Sequence, residues 1–494
     1  MDDRKIRLKD KVISGLFWRL LERFGMQAMT FAISVVLARL LGPEAYGLVA
    51  LVSIFVTIST ILVDCGFGRA IIQKNELNPD TCSTVFTANL SIAAATYAVL
   101  WVASPAIARF YGHPVLSPLL RVLSLTLVFN AINEVQSALL EREMRFKISF
   151  KISLVCTILH GTVAIPMALC GVGVWTLVLA PIPGHLVRTA MLWSLVRWRP
   201  KAVFRKAEFF ELFSFGWKLA LASLINSAYT NVAGLIIGKD YSPVDLAFYN
   251  KGRSFPKLAV DSIMSTVSSV SFPALSALQG NKDSFKKSMR DLLCGVSFLA
   301  IPAMALLCGM AKPLVVLLLG EKWTPCVPYL QIACATFALQ PVTTINLQAI
   351  NALGRSGLTL KLEIVKKSIA FSVLFAAIPH GVLAFAAAGA FVTTPVAIAL
   401  NMSPNKKLIG YSIRDQICDL LPAIAVSAIV AGTSVAMAES IHDAPVKLLC
   451  LQATAATALY IWFGTAFKPR GWTIAENAIR QFAEKFVKYG TGPS

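Results

Sequence analysis

Residues 25–64 read GMQAMTFAISVVLARLLGPEAYGLVALVSIFVTISTILVD, and this stretch decides the fold. It holds two apolar runs on either side of Leu41-Gly42-Pro43-Glu44. The first run begins upstream near Ser14, and the second ends at Asp64. A membrane-spanning helix needs about 20 mostly apolar residues, and each run supplies that. Gly-Pro at the joint ends one helix and starts the next. The alternation of apolar and polar residues in segments of about 10 that marks a membrane β-barrel is missing. The stretch is therefore predicted to be a helical hairpin in a membrane.

The same pattern fills the chain. Fourteen stretches qualify: 14–41, 44–63, 82–104, 118–140, 148–170, 173–196, 209–238, 242–278, 289–319, 325–352, 358–379, 381–403, 417–438 and 445–467. The eighth is polar, and the ninth is long and contains Pro302 and Pro313, so twelve or thirteen spans also fit. Of the 494 residues, 56% are hydrophobic and 15% charged, against roughly 25% charged in a soluble domain. Mean hydropathy is +0.67. These values exclude a soluble enzyme with a single anchor and predict an all-α polytopic membrane protein.

The formal charge of +20 would point to nucleic acid in a soluble protein, but here its placement follows topology. With the N-terminus inside, the loops and tails on one side carry 30 basic residues, from Arg4 and Lys5 to Lys485 and Lys488. The other side holds 3, Arg109, Lys239 and Lys322. Basic residues mark cytoplasmic loops, so both termini are predicted to be cytoplasmic, with no nucleic-acid partner. The basic start (Arg4, Lys5, Arg7, Lys9, Lys11) leads into a run too long for a signal-peptide core and without a clear cleavage site; it is expected to remain as the first helix.

Catalytic chemistry leaves no trace. The ten cysteines form no CxxC pair and read as small buried hydrophobes, and the five histidines are scattered, so neither a metal nor a cofactor is expected. No phosphate-binding Gly-x4-Gly-Lys-Ser/Thr loop or hydrolase motif occurs. The longest outward loop, near Ser104–Ser117, is too short for a catalytic domain. The tail 471–488 reads as an amphipathic helix, with Ile474, Ala478, Phe482 and Phe486 on one side, lying on the inner leaflet.

Three pairs of segments recur in the same order. Trp18-Arg19 matches Trp217-Lys218, Ala45-Tyr46-Gly47 matches Ala247-Phe248-Tyr249, and Phe67 to Gln73 matches Phe272 to Gln279. They predict two related six-helix lobes around a central cavity, 1–200 and 201–403, followed by two additional helices (404–467) and a tail (468–494).

Charges inside spans are costly and mark function. Helical spacing gathers them into stripes: Arg19, Glu22, Arg23, Gln27, Thr30 and Ser34 on the first span, and Ser53, Thr57, Thr60 and Asp64 on the second. Lys218, Asn226 and Thr230 share a side of the seventh, and Asn250, Arg253, Lys257, Asp261, Ser265 and Ser268 share one of the eighth. Arg19, Arg23, Arg39, Lys218, Asn250, Arg253 and Lys257 are the candidate substrate-binding residues; Glu22, Asp64 and Asp261 are candidates for ion coupling or ion pairing. Basic residues outnumber acidic ones on these stripes, which suits an anionic substrate such as a pyrophosphate, with sugar hydroxyls on Ser, Asn and Gln. The competing reading of Arg19–Glu22–Arg23 is an ion-pair network at the membrane edge. Arg188, Lys312, Lys366, Lys367 and Lys447 are expected to snorkel from helix ends.

Short motifs carry a family resemblance. They are Val36 to Pro43 with Tyr46-Gly47-Leu48, Asp64-Cys65-Gly66-Phe67-Gly68 through Lys74, Tyr249-Asn250, Phe272-Pro273-Ala274, and Gly320-Glu321-Lys322-Trp323 with Pro328 and Leu330-Gln331. In these the chain resembles the Wzx-type polysaccharide flippases of the multidrug/oligosaccharidyl-lipid/polysaccharide superfamily, in the branch of the colanic acid and succinoglycan exporters. The resemblance implies alternating-access movement of an undecaprenyl-pyrophosphate-linked oligosaccharide across the bacterial inner membrane. It also implies contact with inner-membrane lipids and functional links to a polymerase and a chain-length regulator. Arg39 coincides with an arginine in the first-helix signature of the related lipid II flippases; Arg19 and Arg23 do not coincide with that family's essential arginines. A cation-coupled drug exporter of the same superfamily and a membrane polymerase are the alternatives.

Overall fold

The computed structural model describes residues 25–74, 77–440, 445–474 and 476–477. Arg19, Glu22, Arg23 and most of the predicted tail helix lie outside the described residues. Every regular element among the described residues is helical.

The opening stretch forms α1 (Gly25–Leu40) and α2 (Pro43–Gln73), with Leu41 and Gly42 between them and Pro43 in the first turn, where its missing N–H costs nothing. Then follow α3 (Pro79–Tyr111), α4 (Leu116–Arg142), α5 (Phe146–Leu169), α6 (174–195, interrupted at Ala180 before Pro181) and α7 (Lys206–Asp240). Next come α8 (Pro243–Ser276), α9 (Lys282–Gly309), α10 (Ala311–Leu319), α11 (327–352, interrupted at Leu339), α12 (Ser356–Ala377), α13 (Val382–Ile409), α14 (Ile413–Ser440) and α15 (Pro445–Phe467). Among the described residues nine helices are long and apolar enough to cross a membrane: α2 to α5, α7, α9 and α13 to α15. The polar α8 is not among them, and α1 is a shorter apolar helix.

Two elements differ from the sequence reading. The second span ends at Asp64, within a residue of the expected end, but after Cys65 and Gly66, both left-handed (φ 43° and 71°), the chain resumes as helix over Phe67–Gln73. The ninth stretch is two helices, because the chain turns at Met310 just ahead of Pro313. Of the ten cysteines, Cys170 in the turn after α5, Cys418 on α14 and Cys450 on α15 are exposed rather than buried.

By packing, the chain divides into two compact units, Met1–Ala247 and Phe248–Ser494. In the first, α2 and α7 meet through glycines: Gly234 lies on Ile54, Gly238 on Leu51, and a Cβ added at Gly66 would come within 3.1 Å of the Cα of Gly216. Small residues let helix backbones approach where lipid offers no hydrophobic drive to associate. Around the α2 break, Phe67, Ile71, Cys82, Val85, Val135 and Leu212 form a buried cluster. Arg142 caps the resumed helix by donating to the carbonyls of Ile71 (2.8 Å) and Lys74, a cation at a helix C-terminus.

In the second unit, α9, α14 and α15 pack together. Arg290 donates to both oxygens of Asp419 on α14, 2.6 Å from Nε, and the Tyr411 hydroxyl donates to the same carboxylate at 2.6 Å. Gln452 of α15 donates to the Ser434 carbonyl at 2.7 Å, and Gly309 faces Ser434. Asn405 donates to Asn346 at 2.6 Å, a polar joint between α13 and α11. The described start of the tail packs on protein: Gly471 lies against Phe298, Ile474 against Gly295, and Arg470 donates to Asp291 at 2.6 Å. Large apolar side chains such as Val99, Val102, Phe110, Leu169 and Trp462 face outward on these units, as lipid-facing residues do.

Candidate functional site

In the first unit the break after Asp64 builds a cavity. It has a volume of about 190 Å³ and lies among α2, α3, α4 and α6. Asp64 and Thr60 come from α2, Asn89 from α3, Asn133 and Glu134 from α4, and Arg188 from α6. The Asp64 and Glu134 carboxyls face one another closely enough to interact directly. The glycines of the motif explain how. A Cβ at Gly68 would occupy the place of the Glu134 carboxylate, so Gly68 lets Glu134 lie on the α2 backbone. Gly66 supplies the left-handed turn that brings Gly68 there.

The polar atoms around this pair are incompletely used. Asn89 is fully buried, yet neither its Oδ1 nor its Nδ2 has a partner. Asn133 donates to Thr189 at 2.9 Å while its Oδ1 has none. Arg69 lies near Asp64 and Arg188 near Glu134, but among the described residues neither carboxylate makes an ion pair with them. Arg188 donates to Ser137 at 3.4 Å. It lines this cavity from α6 and is exposed.

Asp64 is the one predicted site residue in this cavity; Glu134, Asn89 and Asn133 were not singled out from the sequence. A signal exists: Asn130, Asn133, Glu134, Ser137 and Glu141 follow helical spacing along an otherwise apolar span.

In the second unit, the predicted residues of α8 occupy an accessible face. Asn250 and Lys257 are exposed, and Lys257 pairs with Asp261, with 61% and 38% of their side chains exposed. Arg253 is half-buried: it donates to the Tyr249 hydroxyl at 2.9 Å, and its guanidinium sits 5.1 Å from the Tyr249 ring and 5.8 Å from that of Phe337. The motif residues nearby serve packing. Gly252 lies against the backbone of Leu330 and Cys326, and Trp323 is fully buried with Phe248 edge-on at 6.0 Å. In the first unit, Arg39 and Lys218 are exposed on their helices. Arg39 and Lys218 do not join the Asp64 cavity.

A polytopic helical chain with charged, accessible helix faces and a polar intramembrane cavity defines a membrane transport scaffold, and comparison with known proteins agrees. Residues 36–328 match the family of polysaccharide biosynthesis proteins, and the chain belongs to that family. It is 25% identical over 334 residues to the succinoglycan biosynthesis transport protein ExoT of Rhizobium meliloti, covering 67% of this chain and 68% of that protein. It is 25% identical over 367 residues to the lipopolysaccharide biosynthesis protein WzxC of Escherichia coli, covering 73% of each. Its fold is shared with the lipid II flippase MurJ in an inward closed conformation (TM-score 0.71, 13% identity, 92% of this chain and 98% of that one). An inward-facing multidrug transporter of the MATE family aligns with a TM-score of 0.55 at 14% identity, over 82% of this chain and 95% of that one.

Proposed function

We propose that the chain is a flippase that carries an undecaprenyl-pyrophosphate-linked oligosaccharide repeat unit from the inner to the outer face of the bacterial inner membrane, for an exopolysaccharide of the succinoglycan or colanic acid kind. The observation that carries this reading is the pairing of a polysaccharide-biosynthesis family match over residues 36–328 with the fold of a lipid II flippase over most of the chain. The protein is a transporter and not an enzyme: its chemistry is binding and conformational exchange.

In this reading both termini are cytoplasmic, as the basic loops indicate. The exposed Lys257 and half-buried Arg253 of α8, and separately Arg39 and Lys218, are the candidates to bind pyrophosphate, because Lys and Arg hold phosphate oxygens by charge-assisted hydrogen bonds. Two related six-helix lobes alternate access to the substrate, and the exported units pass to a polymerase and its chain-length regulator. The acidic cavity of the first unit supplies the coupling to an ion gradient.

The test is deletion of the gene followed by analysis of lipid-linked oligosaccharides in inverted and right-side-out membrane vesicles. Full-length units confined to the cytoplasmic face, with loss of surface polymer, are expected. Units that reach the outer face but stay unpolymerised would assign the protein to polymerisation instead.

A further inference from the structure

We infer that the Asp64–Glu134 cavity is a binding site for a hard monovalent cation, with Na⁺ as the ion that fits its donors. This deepens the coupling role proposed above and rests on that reading for its physiological meaning, but not for its test. The cavity offers two facing carboxyls without an ion-pair partner among the described residues, together with the unpartnered amide oxygens of Asn89 and Asn133. The Thr60 hydroxyl, which donates to the Val56 carbonyl at 2.9 Å, keeps lone pairs free for a ligand. Hard cations take oxygen ligands of this kind.

The amides choose between ions. A proton would be held by the carboxyl pair alone and would leave the buried amides of Asn89 and Asn133 unsatisfied, at a cost of about 1–3 kcal/mol for each such group. A metal ion satisfies carboxylates and amide oxygens together. The volume of about 190 Å³ leaves room for the ion with some of its water.

A second polar chamber adjoins the site. It has a volume of about 150 Å³, shares Ser137 and Arg188 with the first and is also lined by Ser149, Ser153 and Glu141. Arg188 lines both chambers. The charged and titratable groups facing the pair are Arg69 and Cys65 on α2, Glu141 on α4, and Arg188 with the nearby His185 on α6.

The experiment is equilibrium binding of ²²Na⁺ to the purified full-length protein in detergent, without substrate. Saturable binding of one ion per chain is expected. In Asp64→Asn and Glu134→Gln the affinity is expected to fall at least about tenfold, since loss of even an outer ligand of a metal has that effect. Asn89→Ala and Asn133→Ala leave the charges in place and test the amides separately; each is expected to weaken binding several-fold while a melting curve stays cooperative. Absence of saturable binding in the wild type overturns the inference. So does binding that all four variants leave unchanged. A pH-dependent transition that Asp64→Asn and Glu134→Gln abolish, in protein that binds no Na⁺, makes the pair a proton site and also overturns it. Binding that behaves as expected in a protein whose deletion leaves export intact would sink the flippase reading and not this one.

Discussion

At the scale of single residues, the contacts that matter are those where a missing side chain admits a functional one. Gly68 is such a position, because the Glu134 carboxylate rests where a Cβ would be. Gly68→Ala is expected to destabilise the protein by about 1–3 kcal/mol, as overpacking does. In a Glu134→Ala background the same change should cost much less, and melting curves of the four proteins in the cycle measure that coupling. On α8, Lys257 and Asp261 form an exposed i,i+4 pair worth no more than about 1 kcal/mol to stability. Arg253→Ala and Lys257→Ala are therefore expected to reduce polymer export while protein levels in the membrane hold. Asp261→Asn should be milder than Lys257→Ala. Equal losses would assign the pair a structural or coupling role, and normal export in both basic variants would remove them from the substrate site.

Helices show how much a single proline or glycine shifts what hydropathy alone outlines. The apolar pattern was legible because, in a bilayer, each backbone N–H and C=O must be satisfied within its own helix. Breaks were less legible: the run that ends at Asp64 gave no sign that the helix resumes at Phe67, and Met310 separates α9 from α10 inside one long apolar stretch. The clasp between α9 and α14 was not legible at all. Arg290 and Asp419 lie far apart in sequence, and each reads as a loop-side charge until the helices pack. Asp419→Ala should leave Arg290 and the Tyr411 hydroxyl without their acceptor and lower stability by about 2–4 kcal/mol, read as a fall in the melting midpoint of the detergent-solubilised protein. Tyr411→Phe removes one hydrogen bond and should cost about 1 kcal/mol. Burial and the adjacent carboxylate push the Tyr411 phenol up from its ordinary value, so it remains a donor throughout the physiological pH range.

For the whole molecule, the tail is a test of what holds the second unit together. Arg470, Gly471, Trp472 and Ile474 pack onto α9 and α15, with Trp472 against Gly464 and Tyr460. A chain that stops at Phe467 is expected to melt several degrees lower than the full chain, because it exposes Phe298 and leaves Asp291 unpaired. An unchanged midpoint would show that the docked segment adds nothing to the unit. Helix class and membrane residence are written in local composition, because about 20 apolar residues form a span. Those features need no knowledge of which helix neighbours which. The site is a different kind of property. Asp64 stood out as a lone acid in a span, but Glu134, Asn89 and Asn133 became a site only when four helices were rotated so that their polar faces meet around Gly68. Rotation about a helix axis is set by packing between helices, and no local sequence pattern carries it.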